Sequence, residues 1–318
     1  MPESKPFVII TVGPTGAGKT GLVNETIKHC ELNSNPSPRV FLVDDLVVNN
    51  QIYKDKVLAI ILDHKITSET LDQDVTDKTV IDAFNEAYWN VRKSGDCVKE
   101  STQNCDDVTD SEIRTAIAAK QSFVLEITGS SIPAWILGRE WLGTNTDLYD
   151  VFVSCVFVSN LDDLIQRNMS RFKLAFKLFI SDPIKNPAPR LPNITPEQFN
   201  KTIVTIKNTV TDMYSSCVLP EESKKDESKC GKENIDQLLV FSNNNEGMKL
   251  EFDSKLPDSK LNFQEVIDRL YQSTTLTGGR RRKTQKRRKF HKRNNTKKMR
   301  KSIKNKRIRK HSKIYLHP

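Results

Sequence analysis

An α/β fold with a doubly wound, mainly parallel sheet is predicted from three observations. Short apolar, β-branched runs recur along the chain, stretches with helical periodicity separate them, and the first run ends in a glycine-rich turn that opens a helix. Buried strands that alternate with helices build a parallel sheet covered on both faces. In such sheets ligands sit beyond the carboxyl ends of the strands, so the polar residues just after each strand are the ones to inspect.

Taken in order, Phe7 to Val12 reads as a buried strand and Lys19 to about Cys30 as a helix. Val40 to Val43 reads as a second buried strand ending at Asp44 and Asp45. Ile81, Phe84, Tyr88 and Val91 share one helical face. Ser94 to Asp110 is polar and reads as a surface loop, with a helix over Ser111 to Lys120. Strands follow at Phe123 to Ile127 and Val151 to Val158, and Asn160 can cap the next helix. Asp182 to Pro196 holds five prolines and must be loop. Thr195-Pro196-Glu197 opens a helix with Phe199, Ile203, Ile206 and Val210 as its stripe. Leu238 to Phe241 and Leu250 to Phe252 complete the strands, and Leu261 to Leu270 suggests a closing helix. Trp89, Trp135 and Trp141 fall in helical patterns and read as packing residues.

Charge is distributed unevenly. Of 50 Lys and Arg, 20 lie between Arg280 and Pro318, a segment without Asp or Glu; the rest of the chain carries 30 basic against 40 acidic residues. An acidic body with a cationic tail is unlike a uniformly basic nucleic-acid-binding domain. The sequence predicts a folded domain over 1–277, with polar insertions near 94–110 and 220–234, and a disordered Lys/Arg-rich tail over 278–318. None of the six cysteines forms a CxxC pair, so free thiols in a reducing compartment are expected; a bridge between Cys97 and Cys105, which share one loop, is left open. No apolar stretch approaches the ~20 residues that span a bilayer. The start lacks a basic leader and reads as a strand, which points to a cytoplasmic rather than secreted protein, with nuclear targeting by the tail as a further option.

The motif with the clearest chemistry is Gly13-Pro14-Thr15-Gly16-Ala17-Gly18-Lys19-Thr20, a full GxxxxGK[ST] placed after a strand and before a helix. Glycines let the loop curl so that backbone N–H groups face phosphate oxygens, and the helix N-terminus adds its positive end. Lys19 supplies charge for the β- and γ-phosphates of ATP, and the Thr20 hydroxyl ligates Mg²⁺. Asp44 and Asp45 are candidates for a base that takes the proton of an acceptor hydroxyl; helix capping is the competing role. Glu126 and Thr128 lie on one side of the third strand's end and are candidates for substrate binding, since a Glu there needs a partner. Arg167 and Arg171 share a helix face and Arg190 sits in the proline-rich loop; such arginines neutralise phosphoryl charge, Arg167 on the nucleotide and Arg171 and Arg190 in catalysis from a closing lid.

These motifs, in this order, resemble the zeta-toxin-like P-loop kinases. The likeness spans roughly Phe7 to Phe252 and rests on the phosphate loop, Val43-Asp44-Asp45-Leu46, Glu126-Ile127-Thr128, Arg171-Phe172, Arg190 and the strand ending Phe241-Ser242-Asn243-Asn244. It implies a sheet of the P-loop kinase type and ATP-dependent phosphorylation of a small hydroxyl compound, a nucleotide sugar such as UDP-N-acetylglucosamine in the best-described members. It also implies that Asp44 or Asp45 is the base. Where the family has an arginine after Glu-Gly-Thr, this chain has Glu126-Ile127-Thr128-Gly129-Ser130, a departure that bears on the acceptor. The leading expectation is therefore a small-molecule kinase. The alternative is a P-loop NTPase or polynucleotide kinase acting on nucleic acid held by the tail, which will bind polyanions weakly and in a salt-dependent way.

Overall fold

The computed structural model describes residues 5–95, 97, 102–128, 148–158, 160–191, 196–218, 235–244, 247–256 and 262–272. They fall within the unit Met1–Thr274; the second unit, Thr275–Pro318, lies outside them. The expected insertion at 220–234, Trp135, Trp141 and the basic tail are likewise outside the described residues.

Six strands form one sheet: β1 (Phe7–Val12), β2 (Arg39–Phe41), β3 (Phe123–Ile127), β4 (Asp150–Val158), β5 (Gln237–Asn244) and β6 (Gly247–Asp253), in the order β2-β3-β1-β4-β5-β6. The first five run parallel, and β6 returns antiparallel to β5. The period-two alternation of β1 explains its central place. Val8, Ile10 and Val12 face a core shared with α6 (Cys105–Ala118), α8 (Pro196–Met213) and α9 (residues 263–272), while Phe7 and Ile9 face Val23 of α1 (Lys19–His29). With both faces buried, a continuous apolar run is what the strand needs.

A separate apolar cluster joins α2 (Val43–Asn49), α3 (Gln51–Asp63), α4 (Leu71–Asp74) and α5 (Lys78–Lys93) to the second half of α7 (Leu161–Ser181). Helix α7 serves two cores: Leu161 and Leu164 pack toward β4 and β5, and Phe172, Phe176 and Phe179 pack among the helices. Its start is capped as expected, Asn160 accepting from the Asp162 amide.

Three expectations are corrected. The second strand ends at Phe41 and lies at the sheet edge with Val40 49% exposed; Val43 already begins α2, so Asp44 and Asp45 occupy a helix's first turn, where its N-terminal dipole favours carboxylates. Helix α6 starts at Cys105, inside the stretch expected to be loop, because Asn104 caps it and Asp106 and Asp107 suit its first turn. Cys97 and Cys105 form a disulfide, whereas Cys30 and Cys155 are free thiols. Among the described residues no helix is long and apolar enough to cross a membrane.

Candidate active site

The parallel register brings the site together. Val12 is opposite Ile127 on one side and Cys155 on the other, so the turn after β1 emerges beside the end of β3, with Thr11 level with Glu126. That turn is Gly13 to Gly18, leading into α1 at Lys19. Gly16 and Gly18 have φ of +82° and +94°, the left-handed region that a side chain disfavours. Space closes the argument: a Cβ on Gly16 would lie 2.5 Å from Asn168 Oδ1, and one on Gly18 would lie 2.6 Å from Asn243 Nδ2. These asparagines brace the loop from outside, Asn168 Nδ2 donating to the Thr15 carbonyl (2.9 Å) and Asn243 Nδ2 to the Ala17 carbonyl (2.8 Å). The N-terminus of α1 has no side-chain cap and no acidic residue in its first turn, which suits an anion.

Gly16→Ala should be destabilising as well as disabling. The left-handed conformation costs an L residue about 1–2 kcal/mol, and Asn168, 2% exposed, cannot swing clear. The expected outcome is at least about tenfold weaker binding of a fluorescent ATP analogue, together with a lower melting temperature. Unchanged binding would contradict the loop's assigned role.

Lys19 is 7% exposed. Its Nζ donates to the carbonyls of Gly13 (3.1 Å) and Pro14 (3.3 Å) and lies 3.4 Å from Glu126 Oε1. Burial pulls the ammonium's pKa down, Glu126 pulls it back up, and the charges of Arg171 and Arg190 lower it further. The strand-end Glu126 thus has the cationic partner that its position demands, and Lys19, Arg171 and Arg190 share one electrostatic neighbourhood.

The tandem aspartates part company. Asp44 accepts from the Tyr88 hydroxyl on Oδ1 and pairs with Arg190 Nη1 on Oδ2. The Arg190 guanidinium also lies 4.2 Å over the Tyr88 ring. Asp45 has a different environment: partial burial first, and the charge of Glu126 second, raise its pKa above the usual carboxylate value. So Asp44 belongs with Arg190 and Asp45 with Glu126, the partner of Lys19.

Arg190 is not in a free lid. The Ala188 amide donates to the Val48 carbonyl (2.8 Å), Tyr53 to the Pro189 carbonyl (3.1 Å) and the buried Lys54 to the Ile184 carbonyl (3.0 Å), so the loop is strapped to α2 and α3. Burial pulls the Arg190 pKa down to about 10, still cationic at neutral pH. Arg171 lies on α7 rather than on this loop, with its side chain exposed; Arg167, half-buried, is one turn earlier, next to Asn168. Thr128 and Thr20 are exposed, after β3 and in the first turn of α1. Trp89, expected to pack, is 48% exposed, its ring against Tyr88 and under Arg92.

Sequence reasoning missed Asn168, Tyr88 and Arg92. Tyr88 sat in an apolar stripe, and only its hydroxyl distinguished it from core.

The fold is a mainly parallel α/β sheet whose first strand runs through a full GxxxxGK[ST] loop into a helix. No family model matches the chain, and no curated protein matches it. Among solved structures it is similar to a chain from the PezAT chromosomal toxin–antitoxin system of the human pathogen Streptococcus pneumoniae, at 12% identity over 85% of this chain and 78% of that one, with a TM-score of 0.39. Likeness at that level assigns no residue roles, which rest on the contacts above.

Mg²⁺ fits the donor set. Mg²⁺ in nucleotide sites takes few protein ligands, the rest coming from phosphate and water. The Thr20 hydroxyl, exposed beside Lys19, is the protein ligand this loop offers.

Proposed function

We propose that the chain is a zeta-toxin-like P-loop kinase that moves the γ-phosphate of ATP to a hydroxyl of a small acceptor. One arrangement carries this reading: a buried Lys19 held between its own loop and Glu126, with the cations Arg171 and Arg190 acting on it and Asp45 coupled to Glu126. A loop of inward N–H groups binds nucleotide in many proteins; a carboxylate with a raised pKa beside it is what transfer to a hydroxyl adds.

In the step itself the acceptor oxygen bonds to the γ-phosphorus, the bond from that phosphorus to the β,γ-bridging oxygen breaks, and ADP leaves. The acceptor proton passes to Asp45. Lys19, Arg171 and Arg190 balance charge on the phosphoryl oxygens, and Arg167 stands beside them for the nucleotide. Thr20 would hold Mg²⁺ through its hydroxyl, and the ion would supply charge neutralisation at the phosphates. Glu126 orients Lys19, and with Thr128 is available to the acceptor. Asp44 anchors Arg190. The motif resemblance makes a nucleotide sugar such as UDP-N-acetylglucosamine the first acceptor to try. The test is a metabolite extract incubated with the protein and ATP·Mg²⁺ and read by mass spectrometry. One compound gaining a phosphate supports the reading; ATP consumed without any phosphorylated product contradicts it.

The +20 tail favours a second reading, action on nucleic acid. We assign kinase activity to 1–277 and treat 278–318 as a separate polyanion-binding or nuclear address segment of a cytoplasmic protein. Deleting 280–318 should leave small-molecule phosphorylation unchanged and remove most affinity for DNA, RNA or anionic vesicles, an affinity that falls steeply with salt. Activity that needs both the tail and a polynucleotide would replace the first reading with the second.

A further inference from the structure

We infer that Tyr88 is a positioning residue of the phosphoryl-transfer site, which holds Asp44 and orders Arg190 for the nucleotide's phosphates. The inference rests on the kinase reading and extends it to a residue outside the sequence motifs.

Tyr88 is 3% exposed, and a phenol so buried needs partners for its hydroxyl. It has two of opposite kind. The hydroxyl donates to Asp44 Oδ1 and accepts from Arg92 Nη1 at 3.4 Å. Burial raises its pKa, so the proton stays on and the direction of both bonds is fixed. The ring does a second job, lying 4.2 Å beneath the Arg190 guanidinium. One side chain therefore meets both members of the Asp44–Arg190 pair, the carboxylate with its tip and the cation with its face.

The support continues outward. Arg92 grips Asp106 through Nε (3.0 Å) and Nη2 (2.6 Å), and Lys93 meets the same carboxylate. Asp106 follows Cys105, which is tied to Cys97 by the disulfide. Inward, the backbone leading into Arg190 is already strapped to α2 and α3, so what remains free is the direction of its long side chain. An arginine ordered before the nucleotide arrives loses less rotamer entropy when it meets phosphate. Packing alone would explain the ring, which also meets Tyr53 and Trp89 edge-on, but packing makes no use of the hydroxyl.

Tyr88→Phe keeps the ring and removes only the hydroxyl. Full-length wild type, Tyr88→Phe, Arg190→Ala and the double variant are compared for binding of a fluorescent ATP analogue with Mg²⁺ and for steady-state ATP turnover. The expected result is a fall of about tenfold in kcat for Tyr88→Phe with KM for ATP little changed, the scale of one hydrogen bond to a charged group. In the Arg190→Ala background the same change should have almost no effect, because Tyr88 acts through Arg190. Asp44→Asn, which leaves the Tyr88 bond possible but removes the charge that pairs with Arg190, should show the same coupling and serves if Tyr88→Phe lowers the melting temperature. Equal losses in both backgrounds, or no loss in the wild-type background, would overturn the inference while leaving the kinase reading intact. A wild-type protein that neither binds the analogue nor turns over ATP would remove the kinase reading, and this inference with it.

Discussion

Lys19→Ala should lower phosphoryl transfer by about 10³-fold or more, the scale set by losing a positioned charge on a transferring phosphoryl group. Stability should change little at neutral pH. Lys19 is a buried ammonium whose charged form is disfavoured by desolvation, and Glu126 and the loop carbonyls only partly offset that cost. Truncation removes that cost but takes from the largely buried Glu126 its cationic partner, so the two effects oppose each other. The linkage has a definite sign: a folded pKa below the ordinary lysine value means that the folded state binds protons less readily than the unfolded one. The wild-type protein should therefore gain stability as pH rises through the window between its folded and unfolded lysine values, and Lys19→Ala should lose that increment. Kinetics with the identified acceptor, alongside denaturant melts, check both halves. A variant that turns over at the wild-type rate would move the site elsewhere.

Asp45→Asn should lower turnover by about 10²- to 10⁴-fold, the range for a lost general base, with ATP-analogue binding little altered. Asp44→Asn should cost less and should act through Arg190. The pH profile carries the distinction. Desolvation and Glu126 raise the Asp45 pKa, so the acidic limb of kcat/KM should lie above the ordinary carboxylate value of 3.8. Glu126→Gln removes the repelling charge and should shift that limb to lower pH, whereas Asp45→Asn should abolish it. A carboxylate whose folded pKa is raised destabilises the fold above that pKa and is relieved as pH falls through it, so Asp45→Asn should not weaken the protein at neutral pH. Loss of stability with turnover preserved would instead make Asp45 a helix-terminal residue and nothing more.

The phosphate loop was legible because eight adjacent residues carry the whole signal, and the strand before it and helix after it have unmistakable patterns. The interior strands at Phe123–Ile127 and Asp150–Val158 were legible for the same reason: burial on both faces demands an unbroken apolar run. The edge strand was not, because with Val40 half-exposed it carries little apolar signal, and Val43 reads equally well as strand or first helical turn. The division of labour between Asp44 and Asp45 was hidden for a geometric reason. Neighbouring residues on a helix point about 100° apart, and what each meets depends on Arg190, 146 positions away, and on Glu126, on β3. Tyr88 was concealed by its own packing, since a tyrosine on an apolar stripe differs from phenylalanine by one oxygen. The Cys97–Cys105 bridge was open on spacing alone, because only the placement of α5 and the start of α6 brings the two sulfurs together.

The central claim, transfer of the γ-phosphate to a small acceptor, is tested most directly by following that phosphate. The full-length protein is given ATP labelled only at the γ position, a metabolite extract, and single-stranded DNA and RNA oligonucleotides in one reaction, with Lys19→Ala as the control. The account predicts that the label appears in one small phosphorylated compound and is absent from the control. Label on oligonucleotide ends, or in inorganic phosphate alone, would contradict it.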